Sequence, residues 1–567
     1  MNDALAQIIE TTSPKFNKNV VDGSVKQILQ LIPEYLDKIF QSSVRSLSSK
    51  IPLKYLGYRR MCPEEELNRL ILSNSNKIRY DIAVSDLYVV EYLLEYDGQL
   101  ISRPLYLPYT DKGNIIRISG TQYTLIPVLS DTVISPSHKE VFVRLLKRKI
   151  IFKRHIINFV VNGEKIPGQV IYADIIQVKN LIKDSLQGRV ITPMSLYLLG
   201  EYGVRETMSR YAKTDKYIIT TGNVDKYKNT HNIFETTNIK SGYNKEAYYE
   251  GSNIKFCLDK SVEITHFLEN FIYGFLYVFH ALPEYTDDFL DVYKDKNVQD
   301  ELLHWRILLG RIAYKNTFSV DRICQDMEEH FDTLQGYLDN LIKDKLTEND
   351  IHVENFFDLL AYLMENFNMW LINNKEFNSD ISNRYIDVLY YILYDIIIGF
   401  NMIILSVNKR ASKKQDKLSY KEVSKIVSNE LKTRLIFNLV KSSTMKLCAQ
   451  LTESTIDIYY PKITSLLEDQ SRGTGVKRGS KTTFPESTKQ LKGHDLYIGS
   501  LLFLTKQAPS PRFRSNLYMD YNLYTGKLNI PQDIKETTQL LDDMLRGGIE
   551  NIHAELLNTD DDNTDLE

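Results

Sequence analysis

Cysteine is scarce in this chain: four in 567 residues, at Cys62, Cys257, Cys324 and Cys448, far apart and with no CxxC pair. That spacing excludes a disulfide framework and a Cys-rich zinc site, and it fits a reducing compartment. Tryptophan is scarcer still, with two residues against 37 tyrosines. Net charge is almost absent, since 70 Lys and Arg face 73 Asp and Glu and leave −3. A globally basic nucleic-acid binder is excluded, although a local basic groove is not. The N-terminal MNDALAQIIETTSPKF has neither the basic nor the apolar region of a signal peptide. No apolar run is clean enough to span a bilayer. The richest, Ile386–Val407, is interrupted by Asp387, Asp395 and Asn401, and charges at a bilayer centre are costly. It reads as a buried core helix. The usual marks of a catalytic site are missing too. The ten histidines are scattered without HxH or HxxxH pairing, no GxSxG occurs, and no DxDxD-type cluster lies outside the acidic tail. Alone, the chain shows no active site and no metal site.

What is present describes a large folded protein. An apolar fraction of 43% and a charged fraction of 25% are those of globular chains, and the length calls for several domains. Abundant Lys, Asn, Ile and Tyr reflect an AT-rich genome more than a function. Helical spacing marks Val25, Ile28, Leu29, Ile32, Tyr35, Leu36 and Ile39 in residues 1–80. From 81 to 165 the pattern changes to strands, Leu87–Leu94, Leu105–Tyr109 and Ile115–Ile118, with turns at Asp97-Gly98 and Lys112-Gly113. The polar section 213–247 reads as an exposed loop or hairpin. Beyond it the spacing turns helical, with helices expected at 262–282, 298–315, 351–373 and 381–407. Met327, Phe331, Leu334, Leu338 and Leu341 form one apolar stripe. A helix is expected at 531–557, followed by an acidic disordered tail at 558–567.

Positive charge gathers in two places. Arg472 to Lys492 holds Arg472, Lys477, Arg478, Lys481, Lys489 and Lys492 against Glu486 alone, within a Gly-rich stretch. Backbone amides and cations of such a loop can wrap phosphates; a solvated linker has the same composition. It is not a P-loop, because Ser480 separates Gly479 from Lys481 and no buried strand precedes it. The second group is Arg144, Lys147, Arg148, Lys149, Lys153 and Arg154, interleaved with Val143, Leu145, Leu146, Ile150 and Ile151. It suggests an amphipathic element with a cationic outer face, either solvated or turned to nucleic acid. Arg512 and Arg514 follow Pro509 and Pro511; stiffened arginines suit a phosphate clamp or a structural ion pair.

The stretch Leu107-Pro-Tyr-Thr-Asp-Lys-Gly113 through Gly120-Thr121-Gln-Tyr to Ser135-Pro136 resembles a segment in the N-terminal half of the β subunit of multisubunit RNA polymerases. Both run turn, strand, turn, strand, Ser-Pro. This chain has Gln122-Tyr123 where that family has Glu-Arg, and it lacks the Gly after Ser-Pro. Further on, Asn383-Arg384-Tyr385-Ile386 resembles the family's Asn-Arg-Arg-Val helix. Lys441-Ser-Ser-Thr-Met-Lys446-Leu-Cys-Ala-Gln450-Leu sits where the family lines its rifampicin pocket. The order matches, and the extent is similar to the split β subunits of giant bacteriophages, with the other half of β on another chain.

The resemblance implies an α+β multidomain fold. It would have a strand-rich protrusion-like body (1–150 and 383–435) and an inserted, largely helical lobe (151–382). A basic, loop-rich fork and RNA-proximal region (436–530) and a docking helix (531–557) would follow. It implies a subunit of a phage DNA-directed RNA polymerase, a nucleotidyltransferase acting in transcription, that is inactive in isolation. The Mg2+ would be held by aspartates of a β′-like partner, and no cofactor by this chain. Partners would be a C-terminal β-like subunit, β′-like subunits, DNA template and RNA product, in the infected host's cytoplasm or packaged in the virion. Ser443, Lys446 and Gln450 would lie near nascent RNA, and Arg472, Lys477, Arg478 and Lys481 near the DNA fork. Arg512 and Arg514 complete the expected nucleic-acid-binding set. The residues fit two other readings: a phage virion structural or assembly protein, and a stand-alone single-stranded nucleic-acid binder.

Overall fold

The computed structural model describes residues 24–44, 51–74, 86–236 and 254–432, apart from short breaks and the longer ones at 176–190 and 373–384. It also describes 445–447, 462–465, 514–516 and most of 521–529. The docking helix at 531–557 and the acidic tail lie outside the described residues.

In chain order the body begins with α1 (Ser24–Val44), β1 (Leu53–Arg60), α2 (Pro63–Asn74), β2 (Leu87–Tyr96), β3 (Gln99–Pro108), β4 (Ile115–Ile118), β5 (Thr121–Leu125) and β6 (Val128–Ser130). Then come β7 (Ile134–Pro136), β8 (Glu140–Arg144), β9 (Lys149–Val161), β10 (Glu164–Ala173), α3 (Met194–Thr207), β11 (Tyr217–Thr220), β12 (His231–Thr236) and β13 (Lys255–Asp259). A helical run follows: α4 (His266–Ala281), α5 (Thr286–Lys294), α6 (Val298–Tyr314), α7 (Val320–Gln335), α8 (Asn340–Thr347) and α9 (Phe356–Ile372). The chain returns through β14 (Tyr385–Asp387), α10 (Leu389–Lys413) and α11 (Tyr420–Glu430), and ends in β15 (Met445–Leu447), β16 (Lys462–Ser465) and β17 (Arg514–Asn516). The fold is α+β, built on antiparallel sheets and packed helices.

Two large hydrophobic cores organise these elements. The first collects buried side chains from Val133 to Trp370. Its framework is a seven-stranded sheet with β11-β13-β12-β9-β8-β7 in order and β10 paired to β9. Helix α4 crosses this sheet, with every residue from Asn270 to Phe279 buried. Thr265 caps it by accepting the Leu268 N–H at 3.2 Å. Phe159 stacks on Tyr273 at 4.5 Å. The second core joins α1 and the sheet β1-β2-β3 to α10 and α11, together with Tyr521 and Leu528. Its centre is the ring pair Phe40 and Phe400, stacked at 3.8 Å, where α1 meets α10.

Several expectations from the sequence take a different form. The Ile386–Val407 run is a buried helix from Leu389 onward, but Tyr385–Asp387 is a strand paired with β6, which places Asp387 outside the helix. Among the described residues no helix is long and apolar enough to cross a membrane. Inside α10 the polar Asn401 is buried and accepts the Ser43 hydroxyl at 3.3 Å. The stripe from Met327 to Leu341 is two helices: Met327, Phe331 and Leu334 on α7 enter the first core, whereas Leu341 on α8 enters the second. The polar section after 213 contains strands β11 and β12, the latter burying Ile233 and Phe234.

Helix α3 carries a built-in break. Gly203 has φ +73°, which interrupts the helix, and an L side chain there is strained. Both ends of the break are capped by α6. Glu301, itself buried, accepts the Val204 N–H at 2.7 Å, and Arg306 donates from Nε to the Gly200 carbonyl at 2.9 Å. The Trp305 indole also donates to Glu301, at 3.2 Å.

Candidate nucleic-acid interface

The segment singled out by its turns, 107–136, is a hub for distant strands. β4 and β5 form a hairpin turning at Gly120, with Ile118 opposite Thr121. On the far side of β5 lies β15, which puts Lys446 opposite Thr124 and Leu447 opposite Tyr123. Two residues after β5, strand β6 joins a second small sheet ordered β14-β6-β16-β17. There β16 runs parallel to β6, and β17 puts Arg514 opposite Thr464. Residues 121–130 thus carry in succession the sheets that receive Lys446 and Arg514. The structure brings these two of the nine expected residues to neighbouring sheets. Ser443, Gln450, Arg472, Lys477, Arg478, Lys481 and Arg512 lie outside the described residues.

The hairpin is fixed to the body by one carboxylate. Asp86, 7% exposed, accepts the Arg117 backbone N–H at 2.8 Å and the Arg117 Nε at 3.2 Å, and its own N–H donates to the Arg117 carbonyl at 2.8 Å. The Arg117 side chain remains 42% exposed. Sequence reasoning missed it; its only signal was a place inside the β4–β5 motif. Half-buried Arg103 likewise donates to the Leu431 and Ser428 carbonyls at the end of α11, where cations complement the helix dipole. Burial lowers its pKa.

The basic group at 144–154 is divided between its neighbours. Val143, Leu145 and Ile150 are buried as the inner side of β8 and β9. Lys153 is paired with Glu140 at 2.6 Å, and the exposed Arg154 reaches Asn368 at 3.4 Å. Lys147 and Arg148 lie outside the described residues. The neutralised Lys153 shows that part of this cationic face is structural.

No catalytic constellation is built from these elements. Among the described residues no group of three or more His, Cys, Asp or Glu side chains could hold a metal ion. The buried titratable groups sit in structural roles. Tyr55 donates to Asp37 at 2.7 Å, and burial with that bond pushes its pKa far up. Tyr88 lies beneath the Arg60 guanidinium, 4.6 Å from its ring centre, and burial raises its pKa to about 12.

A family model described as "Non-virion RNA polymerase subunit" matches residues 2–485. No curated protein matches the chain.

Proposed function

This chain belongs to the non-virion RNA polymerase subunit family, and on that premise we propose that it is the N-terminal β-like part of a phage DNA-directed RNA polymerase. In this reading it carries no catalytic centre and holds template and transcript in place. The Mg2+ of nucleotidyl transfer is assigned to aspartates of a β′-like partner, where it would activate the RNA 3′ hydroxyl and steady the leaving pyrophosphate. The observation that carries the reading is the extent of the family match, which takes in the first core, the second core except Tyr521 and Leu528, and the segment 107–136. A role as subunit also accounts for a large, well-packed chain whose described residues converge on no chemistry. The virion structural reading loses its support, and the family's description favours the host cytoplasm over the virion.

The two C-terminal strands support placing nucleic acid along the sheets around residues 115–130. Lys446 and Arg514 share that platform with Arg117. We assign Ser443, Lys446 and Gln450 to the RNA side and Arg472, Lys477, Arg478 and Lys481 to the DNA fork, with Arg512 beside Arg514. The body is assigned to the second core and the inserted lobe to the first.

Tagged purification from infected cells, with mass spectrometry of chains recovered in equal amounts, tests this. Expected are a C-terminal β-like chain and a β′-like chain with an aspartate-triad motif, in a complex that extends RNA. Charge reversal of Lys477 and Arg478 should then weaken DNA binding for all sequences alike and reduce the salt slope by about two. Recovery of self-oligomers or capsid chains alone would refute the proposal.

A further inference from the structure

Helix α8 stands between the two cores. Its Leu341 belongs to the second core, whereas Ile342 and Leu346 belong to the first. A helix only eight residues long has little surface with which to fix the angle between two such masses. The structure shows what holds it.

Near the end of the chain, residues 521–529 form a tight turn. The Asn522 side chain accepts the N–H groups of Tyr524 and Thr525 at 2.9 and 3.1 Å, and the Gly526 N–H donates to the Asn522 carbonyl at 2.7 Å. Gly526 has φ +84°, which the turn requires and glycine supplies. This turn grips three separate elements. Its Tyr524 ring packs edge-on against Tyr35 of α1 at 5.7 Å, beneath the Lys38 ammonium at 4.6 Å. Thr525 donates its hydroxyl to the Glu348 carboxylate at 2.8 Å, and the Lys527 ammonium donates to the Glu348 carbonyl at 2.8 Å. Glu348 is the first residue beyond α8. The Lys527 backbone bridges to Tyr385 of β14.

Tyr385 closes the arrangement. Its ring is 1% exposed, and its hydroxyl accepts from Asn349 at 2.7 Å and donates to the Lys345 carbonyl at 3.2 Å. The Lys345 ammonium lies 4.9 Å from the centre of the same ring. At the end of α8, where carbonyls lack partners inside the helix, that of Lys345 is taken by Tyr385 and Asn349 and those of Leu346 and Thr347 by backbone N–H groups of residues 349–351, while Lys527 takes the Glu348 carbonyl just beyond. Tyr521 and Leu528, on either side of the turn, are buried in the second core.

We propose that the 521–528 turn is a clasp that sets the lobe on the body: docked on Glu348, it makes the two cores move as one through α8, and released, it lets the lobe swing about α8. The clasp is formed by the part of the chain that follows the basic 472–514 stretch.

Hydrogen exchange on the full-length chain tests this with Thr525→Val, which removes the hydroxyl and keeps the shape, and with Lys527→Met. Amides of α8 and β14 should exchange on the order of tenfold faster, the effect of losing a buried hydrogen bond or two. Those of α4 and α9, deep in the first core, should keep their wild-type rates. Glu348→Ala removes the acceptor of the Thr525 hydroxyl, retains the backbone contact to Lys527 and serves, with the same exchange expected, if the first variants do not fold. Unchanged exchange in α8 and β14 would overturn the clasp. So would an equal rise in α4 and α9, which would mean ordinary loss of stability.

Discussion

His304 shows how much a single buried side chain can govern. It is 8% exposed on α6, and burial lowers its pKa from the ordinary 6.5 to about 4, against a smaller opposing pull from Asp288. The folded state therefore holds the neutral ring. Its stability is whole above pH 6.5 and is lost as pH falls toward 4, where the unfolded chain binds the proton first. The size of this loss is about 3 kcal/mol. His280, also lowered by burial, lies on α4 and adds in the same direction. The chain provides its own reporter, because both tryptophans, Trp305 and Trp370, are buried in the first core. Fluorescence-monitored denaturation should show the first core weakening between pH 7 and 4, and His304→Leu should flatten that dependence. An unaltered slope in the variant would remove His304 as the cause.

At the scale of elements, the break in α3 gives the sharpest test. Without Glu301, the Val204 and Trp305 N–H groups are buried with no acceptor. Glu301→Ala should destabilise the first core by about 3 kcal/mol, and Glu301→Gln, which keeps one oxygen, by less than half of that. Gly203→Ala should cost about 1–2 kcal/mol from backbone strain alone, and its Cβ would also stand 3.1 Å from the Glu301 carboxylate. Denaturant midpoints read through tryptophan emission would check all three. Such a break was not legible beforehand, since the partner that makes it tolerable lies about a hundred residues away. What was legible is what local chemistry decides. The three-and-four spacing of α1, the apolar runs of β2 and β3, and the Asp97-Gly98 turn between them all reappear in the structure. The three-residue strands β14, β15 and β17 are too short for any periodicity to show. They exist because β6, β5 and β16 offer edges to pair with. Likewise the apolar spacing through Met327 and Leu341 continues across the turn between α7 and α8, because the two helices serve different cores. Of the expected interface, only Lys446 and Arg514 fall on described strands. Arg117, on β4 of the sheet that receives Lys446, carried no distinguishing pattern.

Across the whole molecule, the two cores differ in how the chain supplies them. The first is made from one continuous stretch, Val133 to Trp370. The second gathers Leu29–Ile118, then Leu341, then Leu393–Leu431, and finally Tyr521 and Leu528. During synthesis this difference becomes a sequence of events. The N-terminal segment leaves the ribosome first but cannot complete its core until about 410 further residues have followed it. The first core has everything it needs much earlier. Nascent chains halted at Arg384 should therefore yield a protease-resistant fragment covering Val133 to Trp370, with residues before 130 digested; protection of those residues would contradict this order. The N-terminal segment is the older part of the polypeptide and the younger part of the fold, and for most of translation its apolar faces await partners not yet made.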